Sequence, residues 1–543
     1  MSRFLVPLAV FFSAAASLGV ELAIVRLGAP YVGQSLLPWS AAIASVLLGL
    51  TGGHVLGGIV SGAATTLRQA RFRLAVVWLL AGLAAAAMPL SLYVVIEAMP
   101  AGQDFGSGAV LAVAALACPP SLAAGLVAPL AVRVAVLTPD LRLPRMVGSI
   151  YAASAAGSVL GTAAAGFVLL ERIGASGLAS VVAGIWIALG IGALPWRSFS
   201  ARQAAGGAAA AAAVMLAIVL LAVPGPCLLE SRYTCIRLFD DKLDGHVLRF
   251  MILDEGVHSA SDRDDPRRLH LGYAALADRL ARTAFARSAA PRALVIGGGG
   301  ATLPRAWAAD PAQAAVTVIE LDPMVAVVAE EAMWAGGHGA LTTVIGDGRA
   351  VVRALPADET FAVVLMDAYR TRSVPPHLVT REFGEMIAAR MTGQGVFLSN
   401  VIDRTGTPLL ALSIARTLAE IFPAVDIWAP EGSPDDTTNY VVAAWKDGAA
   451  AHRSGFEAVQ ATVMEAGDAV RVREVVWRRV DAAVAGRRWP QACVMTLTDD
   501  RAPVDRLLAG RPPLRCERPG ASPARAARDA SGASAAAPAN GGL

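Results

Sequence analysis

Long apolar segments occupy the first 225 residues, and they constrain the fold of this chain more than any other feature. A helix that crosses a membrane needs about 20 mostly apolar residues. About seven stretches are long enough, and they run approximately over residues 4–25, 39–61, 74–98, 108–137, 147–170, 175–194 and 204–223. Small residues recur along them at helix-packing spacing, as at Gly157, Gly161 and Gly166. The sequence therefore predicts an all-α, multi-pass bundle packed within a lipid bilayer.

Charged residues are distributed unevenly along the chain. They make up 16% of the 543 residues, against about 25% in an ordinary soluble domain. They are sparse through residues 1–225, whereas residues 230–520 have the composition of a globular protein. The net charge is only +3, and no stretch of the sequence forms a basic stripe, so a nucleic-acid partner is not expected. We expect a membrane bundle (1–225), a small β-rich lead-in (226–285), an α/β domain (286–515) and a disordered tail (516–543).

Short apolar runs alternate with helical patterns beyond residue 285. The runs are rich in β-branched residues, and such alternation predicts a parallel, doubly wound α/β sheet of the Rossmann-like kind. Ligands of these sheets bind beyond the carboxyl ends of the strands. The predicted strands cover residues 293–297, 316–322, 341–347, 361–367 and 395–400.

Glycines and acids occupy the ends of the first predicted strands. The four glycines at 297–300 let the backbone approach a ligand at the start of a helix. Glu320, at the end of the second strand, is placed to accept both hydroxyls of a ribose, and Asp347, at the next strand end, to accept an adenine amino group. The sequence lacks the GxxxxGK[ST] phosphate-loop pattern. Together these features predict a nucleoside site.

Several of these segments resemble spermidine synthase. The likeness is closest to a bacterial branch in which a transporter-like membrane domain is fused to the synthase. The residues that carry it include 230–233, 253–259, 294–300, 318–322, 346–347, 367–383 and 497–504.

The resemblance implies a membrane-bound transferase in the bacterial inner membrane. Its donor would be S-adenosylmethionine or decarboxylated S-adenosylmethionine, and its acceptor a small-molecule amine or another nucleophile. Asp322 would join Glu320 and Asp347 in the donor site, and Asp367 would be the general base. A homodimer is compatible with this picture.

The chain departs from the family where a polyamine would bind. Gly300 and Ala301 replace an Asp-Gly pair whose aspartate contacts the amine end of the decarboxylated donor. Arg370 replaces the second acid of the gate motif, and His258 replaces a glutamine. Because polyamines are polycations that need nearby acids, the resemblance implies an intact adenosyl half and an altered acceptor half.

Four side chains each have two interpretations. Asp367 either deprotonates an acceptor amine, so that its lone pair attacks the carbon beside the sulfonium, or caps the following turn. Arg305 either pairs with the carboxylate of intact S-adenosylmethionine or is solvated in the first turn of its helix. His258 and His377 either line the mouth of the pocket or are structural.

The five cysteines show no spacing typical of a zinc site, so we expect no metal. The four in the C-terminal half would form two disulfides if that half faces an oxidising compartment, and would stay thiols in the cytoplasm. They are Cys227, Cys235, Cys493 and Cys516.

The side of the membrane on which the C-terminal half lies is open at this point. The positive-inside rule places the arginine-rich loops in the cytoplasm and, with seven spans, the C-terminal half outside. Adenosyl donors are cytosolic, however, and we favour the cytoplasmic side on that ground. The arginines in question are Arg68, Arg71, Arg73, Arg133, Arg142, Arg145, Arg197 and Arg202.

Three functions remain in competition. The first is transfer of an aminopropyl group to an amine, as in polyamine biosynthesis. The second is an S-adenosylmethionine-dependent methyltransferase. The third is a transporter or sensor that binds an adenosyl ligand without turnover.

Overall fold

The computed structural model describes the chain in sixteen stretches. They cover residues 4–32, 36–97, 105–139, 143–194, 216–217, 227–243, 245–254, 256–310, 315–337, 339–369, 373–431, 437–448, 459–465, 471–480, 493–508 and 510. Residue contacts divide the chain into two units. The first comprises residues 1–240 and 250–258, and the second comprises residues 241–249 and 259–543.

Within the described residues, eight helices form most of the first unit. Five helical segments of this described part are long and apolar enough to cross a membrane: Leu5–Ala29, Trp39–Gly62, Leu67–Ala86, Val113–Val136 and Leu143–Ala193. The helices are α1 (Leu5–Val32), α2 (Leu36–Gly62), α3 (Leu67–Ala86), α4 (Met88–Glu97), α5 (Phe105–Gly125), α6 (Val127–Val136), α7 (Leu143–Ala164) and α8 (Leu170–Ala193), with a π-helical turn at Ala165–Leu169.

The fifth apolar segment is too long for one pass. It has 51 residues, and its helix is interrupted at Gly174, where φ is +66°. The break yields two stretches that correspond to the fifth and sixth predicted spans. The seventh predicted span, residues 204–223, lies outside the described residues except for Leu216 and Ala217.

Glycines bring the helices of the bundle into backbone contact. A Cβ atom on Gly53 would lie 2.2 Å from the carbonyl oxygen of Leu122, and one on Gly157 would lie 2.1 Å from that of Phe11. Only a residue without a side chain fits at these positions, which is how small residues pack apolar helices closely.

A four-stranded sheet follows the bundle, with the strands in the order β1 (Leu229–Glu230), β2 (Cys235–Leu243), β3 (His246–Leu253) and β4 (Gly256–Asp262). A disulfide joins Cys227 to Cys235. Residues Gly272–Phe285, within the stretch 226–285 that was expected as a β-rich lead-in, form a helix, α9. This helix buries Leu276, Leu280 and Phe285 in a core shared with the main sheet.

The described residues of the second unit contain a nine-stranded sheet. Its strands are β5 (Ala293–Ile296), β6 (Val316–Glu320), β7 (Leu341–Ile345), β8 (Phe361–Met366), β9 (Met391–Arg404), β10 (Ala424–Pro430), β11 (Thr437–Trp445), β12 (Val459–Glu465) and β13 (Arg471–Arg479). They are arranged in the order β12-β13-β10-β11-β9-β8-β5-β6-β7. The five predicted strands are β5 to β9, and they pair in parallel. The remaining strands pair antiparallel, so the sheet is mixed rather than purely parallel.

Helices follow the parallel strands as expected for a doubly wound arrangement. They are α10 (Thr302–Ala308), α11 (Pro323–Glu331), α12 (Gly348–Ala354), α13 (Arg381–Ala389) and α14 (Leu409–Ala419), with a 3₁₀ turn at Pro376–Leu378. A further short helix, α15 (Val504–Leu508), lies after the antiparallel strands. This topology brings the carboxyl ends of β5, β6, β7 and β8 to one edge of the sheet.

Candidate functional site

The turn after β5 has a backbone conformation that requires glycine at two positions. Gly297 has a φ of +88° and Gly299 a φ of +48°, a region of backbone space that favours glycine. A Cβ atom on Gly297 would lie 2.5 Å from the carbonyl oxygen of Asp367. The turn therefore packs directly against the backbone that follows β8.

Glu320 accepts hydrogen bonds from this turn. Its Oε2 atom accepts from the backbone nitrogens of Gly298 at 2.9 Å and Gly299 at 3.2 Å, and its Oε1 atom accepts from Asp322 N at 3.0 Å. A carboxylate offers about four lone-pair sites, so about one remains. Burial raises the pKa of Glu320, against the effect of these hydrogen bonds. Bidentate binding of a ribose would require the turn to give up at least one backbone hydrogen bond.

Asp322 is buried and caps helix α11. Its Oδ1 atom accepts from Met324 N at 3.0 Å, as expected of an aspartate directly before a proline at the first helical position. The structure thus gives this predicted donor-site residue a local role in starting the helix.

Asp347 lies at the end of β7 and caps helix α12. Its Oδ1 atom accepts from Ala350 N at 2.9 Å, and its Oδ2 atom lies 2.9 Å from Nε2 of His377. Burial opposes ionisation, but these hydrogen bonds outweigh it and lower the pKa of Asp347. The structure therefore brings together Asp347 and His377, which the sequence had suggested separately.

Asp367 follows β8 and is held by two side-chain donors. The Tyr273 hydroxyl donates to Oδ2 at 2.9 Å, and Nδ2 of Asn400 donates to Oδ1 at 2.8 Å. The Asn400 amide is itself oriented, because its Oδ1 atom accepts from Asn439 at 2.9 Å. Burial raises the pKa of Asp367 to about 6, although both hydrogen bonds act to lower it. The carboxyl group thus titrates close to neutral pH, where a general base is effective.

Sequence reasoning missed both partners of Asp367. Asn400 was placed in the fifth predicted strand, but only glycines and acids at strand ends were treated as candidates. Tyr273 lies in the first turn of α9, a helix that the sequence had assigned to the β-rich lead-in. A polar side chain at a strand end would have indicated Asn400, whereas the contact with Tyr273 depends on the tertiary fold.

Gly300 faces Ser259 of strand β4. Its backbone nitrogen donates to Oγ of Ser259 at 2.7 Å. A Cβ atom on Gly300 would lie 2.7 Å from Cβ of Ser259 and 2.9 Å from Cε of Met333. The position where the synthases that the sequence resembles carry an aspartate is therefore closed to any side chain unless its neighbours move.

His258 precedes Ser259 in the same strand, and successive side chains of a strand point to opposite faces. Its side chain therefore points away from the face on which Ser259 meets Gly300. Burial lowers the pKa of His258 to about 4. From this strand, Ser259 contacts the glycine turn.

Arg305 is buried, with 4% of its surface exposed. Its guanidinium donates to the carbonyl oxygens of Asp262 at 2.7 Å and Arg263 at 3.3 Å. Burial lowers the pKa of Arg305. Arg305 is therefore not a solvated side chain in the first turn of its helix, which was one of its two predicted interpretations. Both terminal nitrogens of its guanidinium have backbone partners. Arg370 lies outside the described residues.

No family model matches the chain. Over 113 residues, or 21% of its length, it is 30% identical to the polyamine aminopropyltransferase of Vibrio vulnificus (strain CMCP6), and the match spans 38% of that protein. Among solved structures, it is similar to a probable spermidine synthase from Corynebacterium glutamicum ATCC 13032, with 18% identity, 50% of this chain and 95% of that chain covered, and a TM-score of 0.39. It is also similar to human methyltransferase-like protein 13 in complex with SAH, with 24% identity and a TM-score of 0.26. That match covers 32% of this chain and 78% of the human chain. Part of this chain is thus similar in sequence to a polyamine aminopropyltransferase.

Proposed function

We propose that the second unit is a transferase that binds an S-adenosyl sulfonium donor and passes a carbon group to an amine. The sequence similarity to a polyamine aminopropyltransferase supports a transferase. The glycine turn with Glu320, and Asp347 at the next strand end, support the adenosyl site. The observation that carries the proposal is the Asp367 carboxyl group, which is held by Tyr273 and Asn400 beside the glycine turn.

In the proposed reaction, Asp367 takes a proton from the acceptor ammonium. The freed lone pair of the nitrogen attacks the carbon next to the sulfonium, the carbon–sulfur bond breaks, and its electron pair neutralises the sulfur. The products are the alkylated amine and a neutral thioether nucleoside. Because each oxygen of Asp367 accepts one hydrogen bond from a described side chain, each retains a lone pair for the proton.

The contact between Gly300 and Ser259 favours a second candidate, methyl transfer from intact S-adenosylmethionine. A pocket for the decarboxylated donor needs an acid near its lone ammonium, and the Gly300 position has no room for one. The amino-acid end of the intact donor carries its own carboxylate and does not have this requirement.

Product analysis with the full-length chain in detergent distinguishes these reactions. Aminopropyl transfer from the decarboxylated donor releases methylthioadenosine, whereas methyl transfer from the intact donor releases S-adenosylhomocysteine. Turnover should fall at least about 100-fold in Asp367→Asn, and Asp358→Asn, an exposed acid of the same unit, should leave it unchanged. Equal turnover in the two variants would contradict the assignment of Asp367.

We further propose that the first unit spans the bilayer and that its arginine-rich end is cytoplasmic. Arg73 donates to the carbonyl of Val60, and Arg133 donates to that of Ala64, so both arginines lie at the end of the bundle where α2 finishes. Helix α2 has 27 residues, about 40 Å at 1.5 Å per residue, and it starts near the end of α1.

The β-structure of the first unit joins the bundle at the other end. Near the end of α1, Arg26 donates to the carbonyls of Ser231 and Tyr233. The Glu230 carboxylate accepts from the backbone of Ala175 and Ser176, just after the Gly174 break. The positive-inside rule then supports an extracytoplasmic position for residues 227–240.

The Cys227–Cys235 disulfide supports the same side, because disulfides persist in oxidising compartments and are rare in the cytoplasm. Cys493 is also disulfide-bonded. We therefore propose the extracytoplasmic side in place of the cytoplasmic one that the origin of the donor had favoured. A transferase there depends on a donor that reaches it across the membrane.

A further inference from the structure

Strands β8 and β9 part at the carboxyl end of the parallel strands, and Asp367 and Asn400 lie at the point where they part. The last residues that pair are Met366 and Ser399. Directly beyond them, Nδ2 of Asn400 donates to Oδ1 of Asp367 at 2.8 Å. Asn400 is buried, with 3% of its surface exposed. Its amide therefore links the two strands beyond their last paired residues.

Asn439 of strand β11 contacts the other end of the same amide. The register places Val441 of β11 opposite Asn400 of β9. Asn439 lies two residues before Val441 and points to the same face of the sheet, which makes it a diagonal neighbour of Asn400. Nδ2 of Asn439 donates to Oδ1 of Asn400 at 2.9 Å. The pairing of β9 with β11 thus brings a second amide to the first.

The two ends of the Asn400 amide are not equivalent, because its nitrogen donates hydrogen bonds and its oxygen accepts them. A half-turn of this amide would place Oδ1 against the ionised Asp367 carboxylate and Nδ2 against the amide nitrogen of Asn439. One contact would then join two acceptors and the other two donors. The donor that Asn439 supplies therefore favours the orientation in which Asn400 stabilises the ionised form of Asp367.

We propose that Asn439 is a positioning residue for the transfer reaction, which holds the Asn400 amide with its nitrogen towards Asp367 and so favours the ionised base. This inference rests on the proposed function of Asp367. Asn439 acts through Asn400, whose amide lies between the other two side chains. Burial raises the pKa of Asp367 to about 6 and the hydrogen bond from Asn400 lowers it, so loss of the correct amide orientation should raise that pKa further.

Three other titratable side chains lie near the two amides. Tyr273 on α9 donates to the other oxygen of Asp367, and Tyr369, which follows β8, donates to the backbone carbonyl of Asn400. Burial raises the pKa of both tyrosines, so they stay neutral across the acid range. Asp403, further along β9, accepts from the backbone of helix α14, and burial raises its pKa to about 7. A readout specific to Asp367 is therefore needed.

The test uses the full-length chain in detergent and two readouts between pH 4 and pH 9. The first is the gap in melting temperature between a chain and its Asp367→Asn counterpart. This gap levels off above the folded-state pKa of Asp367, it needs no substrate, and Asp403 is common to both chains. The second is the pH–rate profile, measured with the donor and the amine that product analysis identifies.

Asn439→Leu keeps a similar shape without the donor, and it should move both readouts to higher pH. Turnover should fall at least about threefold at pH 5 and little at pH 9, because a shift of one pKa unit is tenfold in the ionised fraction. Asn439→Asp should lower turnover at pH 5 at least about tenfold, because its carboxylate only accepts and turns Oδ1 of Asn400 towards Asp367. Thr438→Val is the matched control, since the neighbouring side chain of β11 points to the opposite face.

A double-mutant cycle tests whether Asn439 acts through Asn400. In an Asn400→Ala chain, Asn439→Leu should move neither readout. Equal shifts with and without the Asn400 amide would overturn the proposal. So would an Asn439→Leu chain that melts lower at every pH while both readouts stay in place, because that is a purely structural role. Should Asn439→Leu fail to fold, Asn439→Asp, which has the shape of the native side chain, decides the question.

Failure of the proposed function has a different signature. A native chain without turnover on either donor would remove the transferase, whereas the gap in melting temperature would still report the effect of Asn439 on Asp367. A gap that levels off at the same pH in the native chain, Asn439→Leu and Asn439→Asp would remove the positioning role even if the transferase is active.

Discussion

The hydroxyl of Tyr273 lies 2.9 Å from Oδ2 of Asp367, across 94 residues of sequence. One residue begins a helix ahead of the sheet, and the other follows the fourth parallel strand of the sequence. The contact places a neutral donor on a carboxyl group whose burial raises its pKa to about 6. The hydrogen bond therefore lowers the pH at which the Asp367 carboxyl group ionises.

Removing the Tyr273 hydroxyl should shift the acid limb of the pH–rate profile to higher pH. A hydrogen bond to a charged group contributes about 1.5–3 kcal/mol, so Tyr273→Phe should raise the apparent pKa by roughly one unit or more. Turnover should fall several-fold near pH 6.5 and little at pH 9. Tyr369→Phe is the matched control, because that hydroxyl donates to the Asn400 carbonyl and not to Asp367. An unshifted limb in Tyr273→Phe would mean that another group limits the rate.

Asp367→Asn should stabilise the fold at alkaline pH while it abolishes turnover. The folded-state pKa of about 6 exceeds the ordinary value of about 3.9, so the folded state favours the protonated carboxyl. That stability is fully present below about pH 4 and is lost as the pH rises through about 6. The neutral variant avoids a cost on the order of 2–3 kcal/mol. The melting temperature of Asp367→Asn should exceed that of the native chain at pH 8 and match it at pH 4. Equal melting temperatures at pH 8 would show that the ionised Asp367 carboxylate of the native chain is well solvated.

Adenosyl binding should depend on Glu320. Glu320→Ala removes the acceptor for the ribose and for the backbone of Gly298 and Gly299, and we expect a loss of about 2–3 kcal/mol of affinity. Calorimetry of the full chain with methylthioadenosine measures it. Glu331→Gln, an exposed acid in helix α11, is the control. Affinity that survives in Glu320→Ala would place the nucleoside elsewhere.

Donor preference should follow the space at Gly300. The native chain should bind intact S-adenosylmethionine at least as tightly as the decarboxylated form. Gly300→Asp alone should fold poorly, because its Cβ atom would collide with Ser259. The double variant with Ser259→Gly removes that obstacle and should shift the preference towards the decarboxylated donor by about tenfold, one charge-assisted pair being worth at least about 1.4 kcal/mol.

Two results would count against this account of donor choice. One is tighter binding of the decarboxylated donor to the native chain. The other concerns Arg305, which was predicted from the sequence as a partner for the donor carboxylate. Arg305→Ala should lower the melting temperature, because the Arg305 guanidinium donates to the carbonyls of Asp262 and Arg263. A variant that loses donor preference without losing stability would return the arginine to the donor site.

The side of the membrane can be tested with cysteines. A membrane-impermeant thiol reagent, applied to intact cells after mild reduction, should label Cys227, which is partly exposed. A cysteine introduced at exposed Thr65, between α2 and α3, should react only after lysis. The reverse pattern would restore the cytoplasmic placement.

The parallel part of the sheet was predictable, because β5 to β9 are short apolar runs separated by helical patterns. No strand was predicted for β10 to β13, although the turn-forming residues 431–436 separate β10 from β11 in the sequence. A strand-end acid has the same appearance in sequence whether it binds ligand or caps a helix, and the structure gives Asp322 the latter role. The pairing of Tyr273 with Asp367 joins elements that are 94 residues apart, and no local pattern encodes it.

Gly297 has a consequence for the order of events during turnover. Its missing side chain lets the turn that would cradle the donor lie against the backbone of Asp367 and Ala368. In the proposed reaction, a donor that draws Glu320 away from this turn would also move the segment that contains Asp367, the proposed base. We expect the donor to bind first and the acceptor second, after Asp367 has reached its final position.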